Sequence, residues 1–317
     1  MDTKQKALII GACGFVGNYL IEQLVFNCSI SITKLPNETI LNNHEDIGVY
    51  NLNILNIDEI RQVLNKIRPQ YIYHLAAQSS VAKSWENPCL TVDVNIKGTI
   101  NLLEAVRQLD YKPRILLVGS GEEYGCIKPN ETPITEENKL RPGNIYAITK
   151  ATQNMIGKLY TSAYDMDIVM VRAFNHIGPG QLPQFVVADF CKQVADIEKG
   201  HRQPVIYVGN LSAVRDFTDV RDIVKAYELL MEKGKSGETY NVGSSRGITI
   251  DGILKKILKL SPVEIVVETD VNKLRPIDVP IVEVNISKLQ HDTGWTPKID
   301  IDQTLKETLD YWRNYKE

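Results

Sequence analysis

The feature that most constrains this chain is the regular alternation of short apolar runs with helical patterns over residues 1–174. Apolar runs of strand length stand at 6–10, 71–75 and 115–119, and segments with apolar residues three and four positions apart separate them. Strands that alternate with helices build parallel sheets, because each crossover helix returns the chain to the same edge. The first half is therefore predicted to be α/β, with a doubly wound parallel sheet.

The charge of the chain and its cysteine content argue against several classes of partner and against disulfide or metal sites. The chain has 36 Lys and Arg against 39 Asp and Glu, a net charge of −3, without a long run of one sign. We therefore expect no nucleic acid and no membrane as a partner. Five widely spaced cysteines without a C-x-x-C pair predict neither a disulfide framework nor a zinc site, and no histidine has partners at metal-ligand spacing. We expect a cytoplasmic protein without a bound metal.

A glycine-rich segment follows the first predicted strand and opens the first helix. Gly11, Gly14 and Gly17 are spaced G-x-x-G-x-x-G, with Phe15 and Val16 between the last two. Gly11 would allow a tight turn, Gly14 would let backbone N–H groups approach a pyrophosphate, and Gly17 would let the helix pack closely on the strand. In this position the motif predicts a nicotinamide dinucleotide site. A glycine turn without a ligand is the alternative that the motif alone leaves open.

The end of the second predicted strand bears on which dinucleotide is bound. An acidic residue that holds the adenosine ribose hydroxyls is expected about 20 residues after the loop. The residues at the end of this strand are instead Thr33 and Lys34, which could receive a 2′-phosphate. We therefore expect NADPH as the preferred cofactor, with NADH tolerated. An ordinary solvated Lys34 is the alternative.

Three residues predict a hydride-transfer site. Tyr146 and Lys150 lie one turn apart on one helix face, and Ser120 ends the preceding predicted strand. Catalytic groups of doubly wound sheets gather at the carboxyl edge of the strands, where the glycine loop also lies. The phenol of Tyr146 would protonate a reduced carbonyl, the ammonium of Lys150 would lower the pKa of the phenol, and the hydroxyl of Ser120 would bind the carbonyl oxygen.

The length of the chain and a change in its composition predict two domains. Its 317 residues are about twice the ~150 of a usual domain, and Gly and Pro become more frequent from residue 175. We expect a Rossmann-like cofactor domain from residues 1–174 plus about 216–242. A smaller, discontinuous α/β substrate-binding domain would take about 175–215 plus 243–317.

These motifs together resemble those of the extended short-chain dehydrogenase/reductases, the family of nucleotide-sugar epimerases, dehydratases and reductases. The segments at His74, at Asn95 and from Ser120 to Gly125 also match, so the resemblance covers essentially the whole chain. It implies the catalytic set Ser120, Tyr146 and Lys150, with Lys150 also holding the nicotinamide ribose. We expect His74 to be structural rather than catalytic. The resemblance implies further cofactor contacts from two segments: Asn53 and Ile54, with Asn in place of the usual Asp, and Leu75, Ala76 and Ala77.

Segments 173–181, 185–190, 208–219 and 274–280 resemble, within that family, the reductases of GDP-4-keto-6-deoxy-D-mannose that form GDP-D-rhamnose. The resemblance implies a GDP-linked 4-keto-6-deoxy sugar as the substrate. Because arginine forks suit diphosphates, Arg215 and Arg275 are candidates for the pyrophosphate and the neighbouring ribose. Asn175 is expected near the sugar and Asp278 near the ribose hydroxyls. For each of these residues a surface ion pair is the alternative.

The two residues after Ser120 bear on the reaction type. A 4,6-dehydratase needs an acid and a base beyond Tyr146, and Gly121 has no side chain that could protonate a leaving hydroxyl, which favours reduction. Glu122 is a further candidate for catalysis and for substrate binding, with packing or orientation as its alternative role. GDP-mannose 4,6-dehydratase and another nucleotide-sugar 4-epimerase or reductase stay as alternatives.

Two predicted helices carry apolar residues on more than one side, namely Ile96, Ile100 and Leu103 on the first, and Ile148, Met155 and Leu159 on the second. In the family that the chain resembles, the equivalent helices pair across a two-fold axis, so the resemblance implies a homodimer. Packing of both helices against their own sheet alone is the alternative.

Overall fold

The computed structural model of the chain describes residues 4–39, 46–273 and 279–315. The strands of this described part are β1 Gln5–Ile10, β2 Cys28–Lys34, β3 Gly48–Asn51, β4 Tyr71–His74, β5 Arg114–Ser120, β6 Ile168–Ala173, β7 Asn175–Ile177, β8 Val205–Val208, β9 Val214–Asp219, β10 Thr239–Val242, β11 Gly247–Thr249 and β12 Val266–Thr269. Its helices are α1 Phe15–Leu24, α2 Ile57–Ile67, α3 Val81–Glu86, α4 Pro88–Val92, α5 Gly98–Arg107, α6 Ile145–Tyr164, α7 Val186–Glu198, α8 Val220–Lys233, α9 Ile250–Leu258, α10 Ser287–Thr293 and α11 Ile301–Asn314.

Seven parallel strands form the central sheet in the order β10-β6-β5-β4-β1-β2-β3. The order reverses direction between β1 and β4, which is the switch point where ligands bind in open sheets of this kind. Ile10 pairs with His74, and Ser120 pairs with Ala173, so these strands end at one edge. The predicted doubly wound parallel sheet is confirmed.

Helices cover both faces of this sheet, which explains why its strands are continuous apolar runs rather than alternating ones. All six residues of β6 are buried, and so are the last four of β1. Side chains of α1 and α8 pack on one face, and side chains of α2, α5 and α6 pack on the other. The two cores hold the carboxyl ends of the strands in register.

The predicted helix that carries Ile96, Ile100 and Leu103 is not one regular α-helix. α4 ends at Val92, a π-helical turn runs over Asp93–Lys97, and α5 begins at Gly98. The buried Asn95 in this turn accepts a hydrogen bond from the Gln78 backbone N–H at 2.8 Å and donates to the Thr149 hydroxyl at 2.9 Å. A π-helical turn inserts an extra residue, and such turns are frequent at functional sites. Here the turn coincides with a side chain that joins the β4 loop to α6.

The second half forms two smaller sheets, and only some of their strands follow from the sequence pattern. β9 lies between β7 and β11 in a three-stranded sheet, and β8, which the apolar run at 205–208 predicts, pairs with β12. α9 packs with α7 and α11 around a third apolar core. The chain returns to the central sheet at α8 and β10, and the division into two domains at these bounds stays a prediction. Within the described ranges, every helix is too short or too polar to cross a membrane.

Candidate active site

The glycine loop joins the end of β1 to the start of α1 at the switch point. Gly11 has a φ of +84°, and a Cβ there would lie 2.6 Å from the backbone of Ala76. A Cβ at Gly17 would lie 2.2 Å from the Ala12 carbonyl oxygen, whereas one at Gly14 would meet only the Gly11 oxygen at 3.8 Å. Gly14 is thus the exposed, open position, and Phe15 and Val16 begin the helix after it.

The start of α1 fits the pyrophosphate of a dinucleotide. Its N-cap residue is Gly14, which has no side chain to cap the helix, and its first turn contains no acidic residue. Backbone N–H groups at such a helix start attract an anion, and the helix dipole adds to this attraction. The loop therefore has both the space and the donors that the predicted cofactor requires.

The residues at the end of β2 surround the adenosine side of this loop. Thr33 is buried, and its hydroxyl accepts the Gly11 backbone N–H at 3.3 Å, so this side chain supports the turn. Lys34 Nζ donates to the Glu38 carbonyl at 2.8 Å. Glu38 Oε2 accepts the Leu35 backbone N–H at 2.8 Å. Burial raises the pKa of the Cys13 thiol, the nearby charge of Glu38 raises it further, and Lys34 lowers it. An acidic side chain therefore reaches the loop from a position that sequence analysis did not consider.

The other two predicted cofactor segments follow β3 and β4. The Leu75 backbone N–H donates to the Ile10 carbonyl at 3.0 Å, and the half-buried Ala76 and Ala77 come next beside the loop. Ile54 is buried, while Asn53 is exposed and accepts the Leu55 backbone N–H at 3.0 Å. The Asn53 amide thus holds its own turn. The contacts of these residues with a cofactor stay predictions.

Ser120 and Tyr146 come together at the carboxyl edge of the sheet. Ser120 ends β5, and Tyr146 lies in the first turn of α6; each is 9% exposed. Burial raises the pKa of the Tyr146 phenol, a hydrogen bond with Ser120 lowers it, and the charges of Glu122 and Glu123 raise it. The phenol is thus kept protonated, which is the state that a proton donor needs.

Lys150 lies one turn further along α6 and faces the sheet. Its Nζ donates to the Val118 carbonyl at 2.7 Å and to Gln153 Oε1 at 3.1 Å. Burial lowers the pKa of Lys150 to about 8, while Glu123 acts to raise it. The lowering of the Tyr146 pKa by Lys150 stays a prediction.

Glu122 is tied to the helix that carries Tyr146. Asn144 Nδ2 donates to Glu122 Oε2 at 3.2 Å, and Asn144 Oδ1 caps α6 by accepting the Ala147 backbone N–H at 2.8 Å. Ser120 Oγ accepts the Glu122 backbone N–H at 3.2 Å. Glu122 therefore lies beside the catalytic candidates, and its carboxylate is oriented by Asn144.

Besides Ser120 and Glu122, four substrate residues are predicted in the second half, and two of these four lie in the described part of the chain. Asn175 is exposed at the start of β7. Arg215 on β9 donates to the Val214 carbonyl at 2.8 Å and to the Val279 carbonyl at 2.6 Å. Arg275 and Asp278 lie outside the described residues.

His74 has a structural environment at the end of β4. The Thr99 hydroxyl donates to the Asn95 carbonyl at 2.7 Å, so it accepts from His74 Nε2 at 3.1 Å, which assigns the ring proton to Nε2. Burial, together with the charge of Lys150, lowers the pKa of His74 to about 3. A neutral, buried ring agrees with the structural role expected for it.

Sequence analysis missed two side chains that orient the catalytic candidates. Gln153 accepts a bond from Lys150, and Asn144 caps α6 and holds Glu122. The spacing contained a signal for both: Gln153 follows Lys150 by three residues on one helix face, and Asn is a preferred N-cap two residues before Tyr146.

Residues 8–308 match the sequence model of the family described as GDP-mannose 4,6 dehydratase. The chain is 29% identical to the GDP-6-deoxy-D-mannose reductase of Pseudomonas aeruginosa, over 98% of each protein.

Two solved structures share this fold closely. The structure of RMD from Pseudomonas aeruginosa complexed with NADPH is 28% identical, covers 98% of this chain and 99% of that one, and has a TM-score of 0.86. The UDP-glucose 4-epimerase of Thermus thermophilus, complexed with NAD, is 27% identical with the same coverage and a TM-score of 0.87.

Proposed function

Since this chain belongs to the GDP-mannose 4,6 dehydratase family, we propose that it reduces the C4 keto group of a GDP-4-keto-6-deoxy sugar. The reaction would convert GDP-4-dehydro-6-deoxy-D-mannose to GDP-D-rhamnose. At the coarser level the chain is an NAD(P)-dependent nucleotide-sugar enzyme of the short-chain dehydrogenase/reductase type. The Pseudomonas reductase that it resembles supports the choice of substrate.

The observation that carries the choice of reduction is the closed space around Gly121. A Cβ at this position would lie 2.9 Å from Cδ1 and 3.0 Å from Cε1 of the Phe174 ring. A side chain directly after Ser120 would have to displace the Phe174 ring, and Gly121 itself offers no group that could protonate a leaving hydroxyl. Dehydration needs such an acid, whereas reduction of a ketone needs only one proton donor.

The residues of the site suit the protonation of a new alkoxide. The reduced nicotinamide, when bound, supplies the hydride to C4. The buried Tyr146 phenol is protonated and gives its proton to the carbonyl oxygen, which Ser120 Oγ holds by a hydrogen bond. Lys150 contributes a buried cation on the same helix face.

NADPH is the cofactor that we propose as preferred, with NADH tolerated. The Pseudomonas structure complexed with NADPH supports this choice. Lys34 also supports it, because its Nζ donates to backbone carbonyls rather than to a carboxylate. The carboxylate of Glu38 opposes it, since a negative charge repels a 2′-phosphate. The ratio of kcat/KM for the two cofactors tests the proposal, and a tenfold preference for NADH would contradict it.

One observation favours a 4,6-dehydratase as the second candidate. Glu122 keeps a carboxylate in the site, oriented by Asn144, and such a group could remove a proton from C5. A 4-epimerase, the activity named for the Thermus structure, is the remaining alternative, and it would interconvert 4-epimers without net consumption of cofactor.

The deciding experiment supplies the purified protein with enzymatically prepared GDP-4-keto-6-deoxy-mannose and NADPH. We expect loss of NADPH absorbance that depends on the keto sugar, with the product identified by NMR. Conversion of GDP-mannose to the keto sugar without reduction would instead assign the dehydratase.

Tyr146→Phe tests the proton donor. We expect turnover to fall by roughly 100-fold or more, since general acid catalysis typically contributes this much, with cofactor binding retained. Tyr160→Phe is the matched control, because Tyr160 lies on the same helix and donates to Glu104 Oε1 at 2.7 Å outside the site. Equal turnover of Tyr146→Phe and the wild type would remove the proposed role.

A homodimer is the assembly that we propose, through the outer face of α6. Ile148, Met155 and Leu159 on this helix are 45%, 60% and 60% exposed. Leu90 and Val92 of the contacting α4 are also exposed. By contrast, Leu103 is buried against the protein's own sheet. Exposed apolar side chains gathered on one helix face favour a partner.

A further inference from the structure

The buried carboxylate of Glu123 lies next to the Ser120 backbone. Glu123 is fully buried in the short helical turn Gly121–Tyr124, and its Oε1 accepts the Ser120 backbone N–H at 2.9 Å. Its carboxylate also fills the space around Gly119, where a Cβ would lie 2.2 Å from Oε1. The backbone of the catalytic candidate is therefore fixed by a side chain from the following turn.

A second buried residue holds this carboxylate from the neighbouring strand. Arg172 in β6 is 4% exposed, and its Nε donates to Glu123 Oε2 at 2.8 Å. One of its terminal nitrogens donates to the Tyr124 hydroxyl at 2.9 Å, and the guanidinium lies 4.8 Å from the centre of the Tyr124 ring. Tyr124 is in turn fixed by Asn241 Oδ1 at 2.7 Å. Each oxygen of the Glu123 carboxylate thus has its own donor.

We propose that Glu123 is a positioning residue for catalysis, held by Arg172, which fixes the Ser120 backbone so that the hydroxyl keeps its place beside Tyr146. The proposal rests on the proposed function in that it assigns Ser120 to the binding of the carbonyl oxygen. It adds a part of the site that acts through Ser120 and does not touch the substrate.

The cost of burying two charges argues that this pair serves position rather than stability. A buried ion pair seldom stabilises a fold more than apolar side chains of similar volume would, because both charges lose their hydration. A carboxylate is nevertheless suited to this place, since both of its oxygens accept and two donors converge on it. A glutamine could accept from only one of them and would turn an N–H towards the other.

Several charged and titratable groups face Glu123. They are Arg172 from β6, Lys150 and Tyr146 from α6, and Tyr124 from its own turn. Burial raises the pKa of Glu123 to about 7, while Arg172, the Ser120 N–H and Lys150 act to lower it. Burial also acts to lower the pKa of Arg172, but Glu123 and Tyr124 raise it overall, so the guanidinium stays charged.

The test compares Glu123→Leu, Arg172→Met and the double variant with the wild type. Each single variant leaves one buried charge without its partner and is expected to lower the melting temperature. The double variant removes both charges and is expected to regain most of that loss. Its Ser120 N–H still has no acceptor, so kcat should stay roughly 10- to 100-fold low with KM within about threefold of the wild type, as expected for a misplaced group.

Exchange of the Ser120 amide hydrogen provides a readout that needs no substrate. We expect faster exchange in the double variant than in the wild type, because the N–H has lost its acceptor. If the wild type fails to reduce the keto sugar, the proposed function is wrong, yet this exchange still tests the role of Glu123. A double variant with wild-type kcat, or with an unchanged exchange rate, would overturn the proposal.

Glu198→Gln is the matched control. Glu198 forms an ion pair with Arg313 at 2.7 Å, far from Ser120 in sequence and in a different core. Its loss should lower stability while kcat stays near that of the wild type. An equal fall in kcat in this control would show that any loss of an ion pair slows the enzyme, and would refute the positioning role.

Discussion

Replacing Gly17 by alanine should weaken cofactor binding although the substitution favours a helix. The added Cβ would lie 2.2 Å from the oxygen, 2.6 Å from the carbon and 2.7 Å from the Cα of Ala12. An ordinary contact of such atoms is roughly 3.5 Å, so α1 and the loop must separate by about 1 Å. All three clashing atoms belong to the backbone, so no side-chain rotation can relieve the contact.

The magnitude follows from two opposed terms. Alanine in a helix is better than glycine by roughly 0.5–1 kcal/mol, while overpacking of a closed site costs about 1–3 kcal/mol. Subtracting the helix gain from the overpacking cost leaves a net cost between 0 and about 2.5 kcal/mol, with a middle value of about 1.2 kcal/mol. If the loop relaxes by moving away from α1, the cofactor must restore the close approach, and this middle value corresponds to cofactor binding weaker by roughly eightfold.

Fluorescence titration with NADPH measures this loss, and thermal unfolding with and without NADPH provides the comparison. Gly252→Ala is the control, because Gly252 lies in the first turn of α9 and a Cβ there would meet only side-chain atoms, at 3.0 Å or more. It should be neutral or slightly stabilising and should bind NADPH normally. Cofactor affinity of Gly17→Ala within about twofold of the wild type, well under 1.4 kcal/mol, would refute the reasoning.

Three further predictions concern charge and assembly. Burial lowers the pKa of Lys150 to about 8, below its usual value, so its ammonium is lost as the pH rises. Turnover should therefore be steady below about pH 8 and fall above it. A flat profile above pH 8 would argue against a role for the cation. The ratio of kcat/KM for NADPH to kcat/KM for NADH should fall in Lys34→Ala and rise in Glu38→Gln. Shifts in the opposite directions would reverse our assignment of the two charges. Met155→Glu should halve the mass found by light scattering if the protein is a dimer, whereas Phe26→Glu, at a residue 80% exposed outside this face, should not change it.

The parallel sheet was predictable because its strands are buried on both faces and leave unbroken apolar runs. The last four residues of β1, all apolar and buried, are the clearest case. The small strands of the second half gave no such signal. All four residues of β12 are exposed, and β11 is three residues long, so neither contains a period that distinguishes a strand from a loop. Their pairing depends on distant segments that the local sequence does not specify.

The catalytic candidates were predictable for a different reason. Helix geometry places Tyr146 and Lys150 on one face, and Ser120 is placed by its position at the end of a strand. Local spacing therefore brings all three to the carboxyl edge of the sheet. The orientation of a side chain is not local in this sense. Lys150 donates to the Val118 carbonyl on another element, and Arg172 reaches Glu123 across 49 positions of sequence. Such contacts become visible only when β5, β6 and α6 are packed together.

The choice of cofactor shows where a spacing rule reaches its limit. The rule looks for an acid at the end of β2, and the absence of one at Thr33 and Lys34 favoured NADPH. In the folded chain the side chain of Thr33 is committed to Gly11, while Glu38 reaches Cys13 from the segment after the strand. The preference therefore depends on the balance between one cation and one carboxylate beside the same loop. Because they act in opposite directions, exchanging either charge alone should shift the preference more clearly than removing both.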